Sequence, residues 1–207
     1  MEVLVFLLIL ILSVMAHEIS HGMMADYLGD PTARLMGRLS LNPIKHVDLM
    51  GSIIVPGILI LMQAPFLIGW AKPVPINPLN FKDQRYGAAK VSLAGPGANL
   101  IIALVFGLIM RVIVWVGASS AFAVNLFGLF QVIVWINLLL AIFNLVPIPP
   151  LDGSHILFAF LPERFEKVKI FMQRYSLIIL LFFIMFLFRL IVPVVAFLFR
   201  LITGVPF

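Results

Sequence analysis

Residues 12–28 read "LSVMAHEISHGMMADYL", and they follow "MEVLVFLLILI", which is almost pure hydrocarbon. From residue 3 to residue 27 the run holds no proline. Its 25 residues would make a helix of about 37 Å, enough to cross the roughly 30 Å core of a bilayer. Late in that run stand His17, Glu18 and His21. On a helix, residues four apart lie on nearly the same face, one turn up, so both imidazoles can aim at one metal ion. Glu18 sits beside the first of them, placed to hold a water. This is the H-E-x-x-H signature of zinc hydrolases, in which the glutamate is the general base. In a soluble helix a chance match would compete with that reading. In a membrane helix each ionisable group costs a few kcal/mol or more unless it faces a cavity or a partner. Three of them among leucines need a compensating interaction, and a metal ion supplies one.

The remainder of the chain is equally apolar. Of 207 residues, 63% are hydrophobic and 11% charged, against about 45–50% and about 25% in soluble domains. The expected class is an all-α polytopic membrane protein with about four to six transmembrane helices. The net charge of +5 does not indicate nucleic acid, because the basic residues sit in short polar loops, where the positive-inside rule puts them. There is no cysteine. Disulfides and thiolate ligands are thereby excluded, and a metal must be held by histidine and carboxylate. Val14-Met15-Ala16 has the form of a signal-peptidase site, but Glu2 is the only early charge and no basic region precedes the apolar run. The run is therefore expected to remain as a span.

Further apolar segments occupy residues 52–70, 88–116, 121–145 and 175–202. The first of these is broken by Pro56, Gly57 and Pro65. Arg34, Arg38 and Lys45 precede it, and Lys72, Lys82, Arg85 and Lys90 follow it. Arg164, Lys167, Lys169 and Arg174 precede the last segment, whereas the turn near residues 117–120 has no basic residue. These charges put the end of the first span and both flanks of segment 52–70 in the cytoplasm. The simplest topology makes that segment re-entrant, with its broken backbone buried in protein; a full span is the alternative. Residues 32–41 alternate in part, as a short cytoplasmic strand pair would. The whole chain, 1–207, reads as one membrane-embedded domain, with a catalytic core over about 1–160 and a last transmembrane segment over about 175–203.

Catalytic zinc usually takes three protein ligands and keeps one open position. Candidates for the third are Asp26, Asp30, His46, Asp48, Asp83, Asp152, His155, Glu163 and Glu166. Most lie in polar loops, where a solvated charge is the default. Asp152 differs. It follows "FNLVPIPPL", where prolines forbid a plain helix, and Gly153 permits a tight turn that aims a carboxylate back into the bundle. Its competing role is to cap a short helix over residues 153–160.

At this point the residues resemble a family. "AHEISHG" in one span and "NLVPIPPLDG" in a later one are similar to the site-2 protease family of intramembrane zinc metalloproteases. "SLAGPGANL" resembles its Gly-Pro-x-x-Asn element, and "NPIKHVDLMGS" and "GWAKPVPINP" resemble its compact prokaryotic branch. The likeness runs from Ala16 to about Leu157. It implies His17, His21 and Asp152 as ligands of one catalytic Zn2+, Glu18 as general base, and Asn144 and Asn99 as polar residues at the cleft. Asn144 can donate to a substrate carbonyl or oxyanion, or simply end a helix. The glycines beside Asn99 serve close backbone approach or helix packing. His155 is either a partner of the ligands or a polar residue at the cytoplasmic rim.

The implied function is hydrolysis of peptide bonds within or near transmembrane segments of membrane-protein substrates. The implied location is a prokaryotic inner membrane, with the active site toward the cytoplasm. The implied partners are transmembrane-helix substrates and the lipid bilayer. Neither a PDZ nor a CBS domain has room here, and the extra span that many members place before the H-E-x-x-H helix is not expected. The competing class is a metal-binding membrane protein without proteolytic activity, or an inactive relative that binds membrane helices.

Overall fold

The computed structural model describes residues 2–46, 48–62, 72–117 and 120–206. The chain enters as α1 (Glu2–Tyr27) and makes a short turn, α2 (Thr32–Leu35). A π-helical turn over Leu49–Ile54 leads into α3 (Val55–Leu61). Two long helices follow, α4 (Gly87–Trp115) and α5 (Ala121–Asn144). Then come α6 (Asp152–Phe160), α7 (Glu166–Arg174), α8 (Ser176–Phe182) and α9 (Ile191–Thr203).

Among the described residues, four helical runs are long and apolar enough to cross a membrane: Val3–Tyr27, Gly87–Trp115, Ala121–Asn144 and Ser176–Thr203. They coincide within a residue or so with four of the apolar segments of the sequence. The last run joins α8 to α9 through a π turn (Phe183–Leu187) and a 3-10 turn (Phe188–Leu190). Pro193 offers no N–H to the carbonyl of Arg189 in the 3-10 turn, and its ring crowds that carbonyl. Of segment 52–70, residues 63–70 lie outside the described residues, so the choice between re-entrant and spanning falls there too.

The strand expectation is corrected. Among the described residues there is no strand, and Thr32–Leu35 is helical. The Asp30 carboxylate accepts from both the N–H and the hydroxyl of Thr32 and starts a turn, while Gly37 at φ +63° ends it. Partial alternation in a short polar segment has little weight against such local hydrogen bonds.

α4 is the central helix and packs against α1, α5, α6 and α9. The main apolar core lies between α4, α5 and the last span, around Ala103, Met110, Val134, Leu138, Ile191, Val195 and Phe199. A smaller cluster of Ala25, Leu28, Phe81 and Val91 joins the end of α1 to the start of α4.

Between α3 and α4 an extended strap, residues 72–77, crosses the end of α1. Two buried charges hold it. Arg38 donates to the carbonyls of Lys45, Lys72 (2.9 Å) and Pro73 (3.2 Å). Asp30, with no solvent exposure, accepts from the Asn77 N–H at 2.6 Å and the Asn80 side chain at 2.8 Å. Burial by itself pushes the Asp30 carboxyl up, but hydrogen bonds from Thr32, Asn77 and Asn80 outweigh it and hold the group below the ordinary carboxylate range.

A depressed folded-state pKa contributes stability that is complete above the unfolded value, about 3.9, and is lost as pH falls through the folded value. Asp30→Ala should cost on the order of 3 kcal/mol, since it leaves several buried donors unpaired. In thermal melts between about pH 3 and pH 7, Asp30→Asn should flatten the acid limb of the stability curve. An unchanged acid limb would remove Asp30 as its source.

Candidate active site

α1 carries His17, Glu18 and His21 within about one turn, and the two imidazole rings stand 4.6 Å apart at 88°. Asp152 begins α6 and reaches back toward them. Its Oδ2 lies 3.1 Å from His17 Nε2 and 3.2 Å from His21 Nε2. Both histidines are buried and Asp152 is nearly so. The turn that delivers Asp152 runs through the cis Pro149–Pro150 bond and is closed by Leu151 N–H on the Ile148 carbonyl. Ser154 then donates through its N–H and its hydroxyl to the Leu151 carbonyl, starting α6. Gly153 is required here, because a Cβ at that position would meet the Leu145 carbonyl oxygen at 2.2 Å.

The outer nitrogens of the two rings are also engaged. His17 Nδ1 lies 2.6 Å from Asn99 Oδ1, and His21 Nδ1 lies 2.7 Å from the Val91 carbonyl. Both partners are acceptors, so each Nδ1 carries the proton. In the neutral rings each Nε2 therefore presents a lone pair, and both lone pairs converge with a carboxylate oxygen. His17, His21 and Asp152 are the three residues whose ligand atoms lie within 4.8 Å of one another, among the described residues. Lone pairs with no proton between them repel unless a cation sits among them. Donors about 2.0–2.2 Å from a tetrahedral ion are about 3.3 Å apart, close to the spacing found. The donor set thus fits zinc: borderline nitrogen and oxygen ligands, three in number, each imidazole held from behind.

Glu18 points toward the strap, where its Oε2 accepts the Val74 N–H at 3.0 Å. This uses one carboxylate oxygen and leaves the other. Asn144 donates to the Leu140 carbonyl of its own helix at 2.9 Å, which occupies one of its two N–H bonds. Asn99, expected at the cleft, instead lies wholly buried behind His17.

The other candidate carboxylates and histidines are placed elsewhere. Asp26 pairs with Arg34 at 3.3 Å and Asp83 with Lys90 at 2.6 Å. Asp48 accepts from Gly51 N–H at 2.7 Å. His46 is buried against the Ser40 carbonyl, and Glu166 reaches Lys169 at 3.6 Å. His155 and Glu163 are exposed.

Sequence reasoning passed over Asn137, Ser13 and the Val91 carbonyl. The signal for Asn137 was available: an amide within "VIVWINLLLAIF" is a polar group in an apolar span and needs a partner. Ser13 stands four residues before His17, on the same face of α1. A backbone carbonyl leaves no trace in sequence.

Gly95 of α4 faces both rings. A Cβ there would lie 2.5 Å from His21 Nε2 and 2.7 Å from His17 Cε1, whereas one at Gly97 meets nothing within 4 Å. Gly95→Ala should strip the purified protein of most of its metal while leaving its helix content intact, and Gly97→Ala should leave metal content unchanged. Metal analysis beside circular dichroism checks this; equal metal in both variants would contradict the packing.

Comparison with known proteins places these groups in context. Residues 108–187, a stretch that includes Asp152 but not the α1 residues, match peptidase family M50. The chain is 38% identical over 174 residues to a Bacillus subtilis (strain 168) protein named "Putative zinc metalloprotease YwhC", covering 83% of this chain and 76% of that one. It is 24% identical over 167 residues to "Zinc metalloprotease MJ0392" of Methanocaldococcus jannaschii, covering 80% of this chain and 37% of that one. No solved structure matches the chain. Similarity of the first kind extends over most of both proteins, and the chain belongs to peptidase family M50, the membrane zinc metallopeptidases of the site-2 protease type.

Proposed function

We propose that this single membrane-embedded domain, residues 1–207, cleaves peptide bonds within or near the transmembrane segments of membrane-protein substrates. One zinc ion would be held by His17, His21 and Asp152. The observation that carries this reading is the convergence of two Nε2 lone pairs and a carboxylate oxygen, with Glu18 adjacent.

When bound, the metal supplies Lewis-acid chemistry: it polarises a carbonyl and lowers the pKa of water. Glu18 is the general base. The Val74 N–H holds its Oε2, so Oε1 is the oxygen that takes the proton from the attacking water. The water oxygen adds to the scissile carbonyl carbon, the C–N bond breaks, and Glu18 returns the proton to the leaving amine. The second N–H of Asn144 remains available to a substrate carbonyl or to the developing oxyanion.

A substrate helix must unwind before a carbonyl is exposed. The proline-rich stretches 73–78 and 147–150 are places where an extended segment can lie alongside the site. Water reaches the site from the nearer side. His17 and His21 are ten and six residues before Tyr27, so they lie about 9–15 Å below that end of α1. Loop charge supports a cytoplasmic position for that end, as in a prokaryotic inner membrane: Arg34, Arg38, Lys45, Lys72, Lys82, Arg85 and Lys90 all gather there.

Purified wild-type protein should contain one zinc per chain and cleave single-span membrane substrates. Glu18→Gln should retain the zinc and lose at least about 100-fold in cleavage. Undiminished hydrolysis by Glu18→Gln would sink the base assignment. Absence of stoichiometric metal in the wild type would overturn the whole reading.

A further inference from the structure

We propose that Asn137, acting through Asn99, is a positioning residue that fixes which nitrogen of His17 is offered to the metal. The inference rests on His17 being a zinc ligand, as proposed above, and adds a cause for its tautomer.

The argument starts at a group that can only accept. The Ile133 carbonyl, one turn before Asn137 in α5, receives the Asn137 Nδ2 at 2.8 Å. That fixes the amide's orientation, since the reverse would set oxygen against oxygen. The same Nδ2 donates to Ser13 Oγ at 2.9 Å. Asn137 Oδ1 is thereby turned toward α4, where it accepts from Asn99 Nδ2 at 2.7 Å. A second acceptor, the Ser13 carbonyl, lies 3.2 Å from Asn99 Nδ2. Both bonds hold the Asn99 nitrogen on the far side, so its Oδ1 is the end that meets His17 Nδ1 at 2.6 Å. An amide oxygen cannot donate, so Nδ1 must carry the hydrogen. Nε2, the atom 3.1 Å from Asp152, is left with its lone pair.

The relay ties three helices together, α1, α4 and α5, and its two amides have no solvent exposure. Water therefore cannot stand in for a missing partner, and every side-chain amide N–H in the chain of bonds has an acceptor. His21 needs no such relay, because the Val91 carbonyl meets its Nδ1 directly. The two ligands on one helix are thus fixed by different means: one by backbone, the other by a line of side chains anchored on backbone carbonyls of α5 and α1.

The test is the zinc dissociation constant of the full chain in detergent, measured by competition with a chromophoric chelator. Asn99→Leu and Asn137→Leu should each weaken binding by about 10-fold or more, the range for lost partners of metal ligands. The decisive comparison is the double variant. If Asn137 acts through Asn99, the double variant should bind zinc as Asn99→Leu does, within about 2-fold. A merely structural role would multiply the two losses. Asn137→Thr serves where the leucine variant does not fold, since a threonine hydroxyl can donate to the carbonyl four residues back; it should lose affinity as Asn137→Leu does. Unchanged zinc affinity in the Asn137 variants, or multiplicative losses in the double variant, would overturn the proposal. A wild type without stoichiometric zinc would overturn instead the site assignment on which it rests.

Discussion

Two imidazole nitrogens and one carboxylate oxygen face each other across 3.1 and 3.2 Å in a nearly dry setting. Much of the surrounding architecture follows from the demands of that contact. The groups would repel if left alone, and in a low dielectric the repulsion is large. They can be held together only by a rigid frame on the outside and a positive charge on the inside. The frame consists of α4, which comes close enough only because Gly95 has no side chain, and α6, which starts in the right place only because Gly153 has none. Gly95 lies against the two imidazoles and Gly153 against the Leu145 and Val146 carbonyls of the turn after α5, and neither contact tolerates a methyl group.

The polar groups near the site form two systems with different tasks. Asn99, Asn137 and Ser13 stand behind the His17 imidazole and connect it to α4 and α5, while the Val91 carbonyl of α4 holds His21. Arg38 and Asp30 lie at the loop end of the bundle and fix the strap, whose Val74 N–H reaches Glu18. The two histidines are therefore oriented from within the bundle and the glutamate from its rim. A disturbance of the loops would reach Glu18 first and the histidines last.

Sequence gave access to whatever depends on local spacing. His17 and His21 are four apart on an unbroken apolar run, and no other arrangement of that helix separates them. Asp152 stood out because prolines on one side and a glycine on the other constrain its backbone. The spans were legible from hydrocarbon length. What escaped detection depends on partners far along the chain. Asn99 reads in sequence as a polar residue at the cleft, because nothing local says that its oxygen meets a histidine 82 residues earlier. Asp30 reads in sequence as a loop carboxylate with solvation as its default and Arg38 as a basic loop residue, yet both are buried. Residues 32–41 alternate in part, yet one carboxylate accepting from Thr32 starts a helical turn over Thr32–Leu35.

The separation in sequence between the groups at the centre has a consequence for the protein's own biogenesis. Asp152 lies 135 residues after His17. During synthesis α1 enters the membrane first, and its histidines have no carboxylate to meet until α4 and α5 have followed and the turn after α5 has emerged. The three groups can meet only once the segment after α5 has been made. A nascent chain that stalls earlier holds two buried histidines without the carboxylate that meets them.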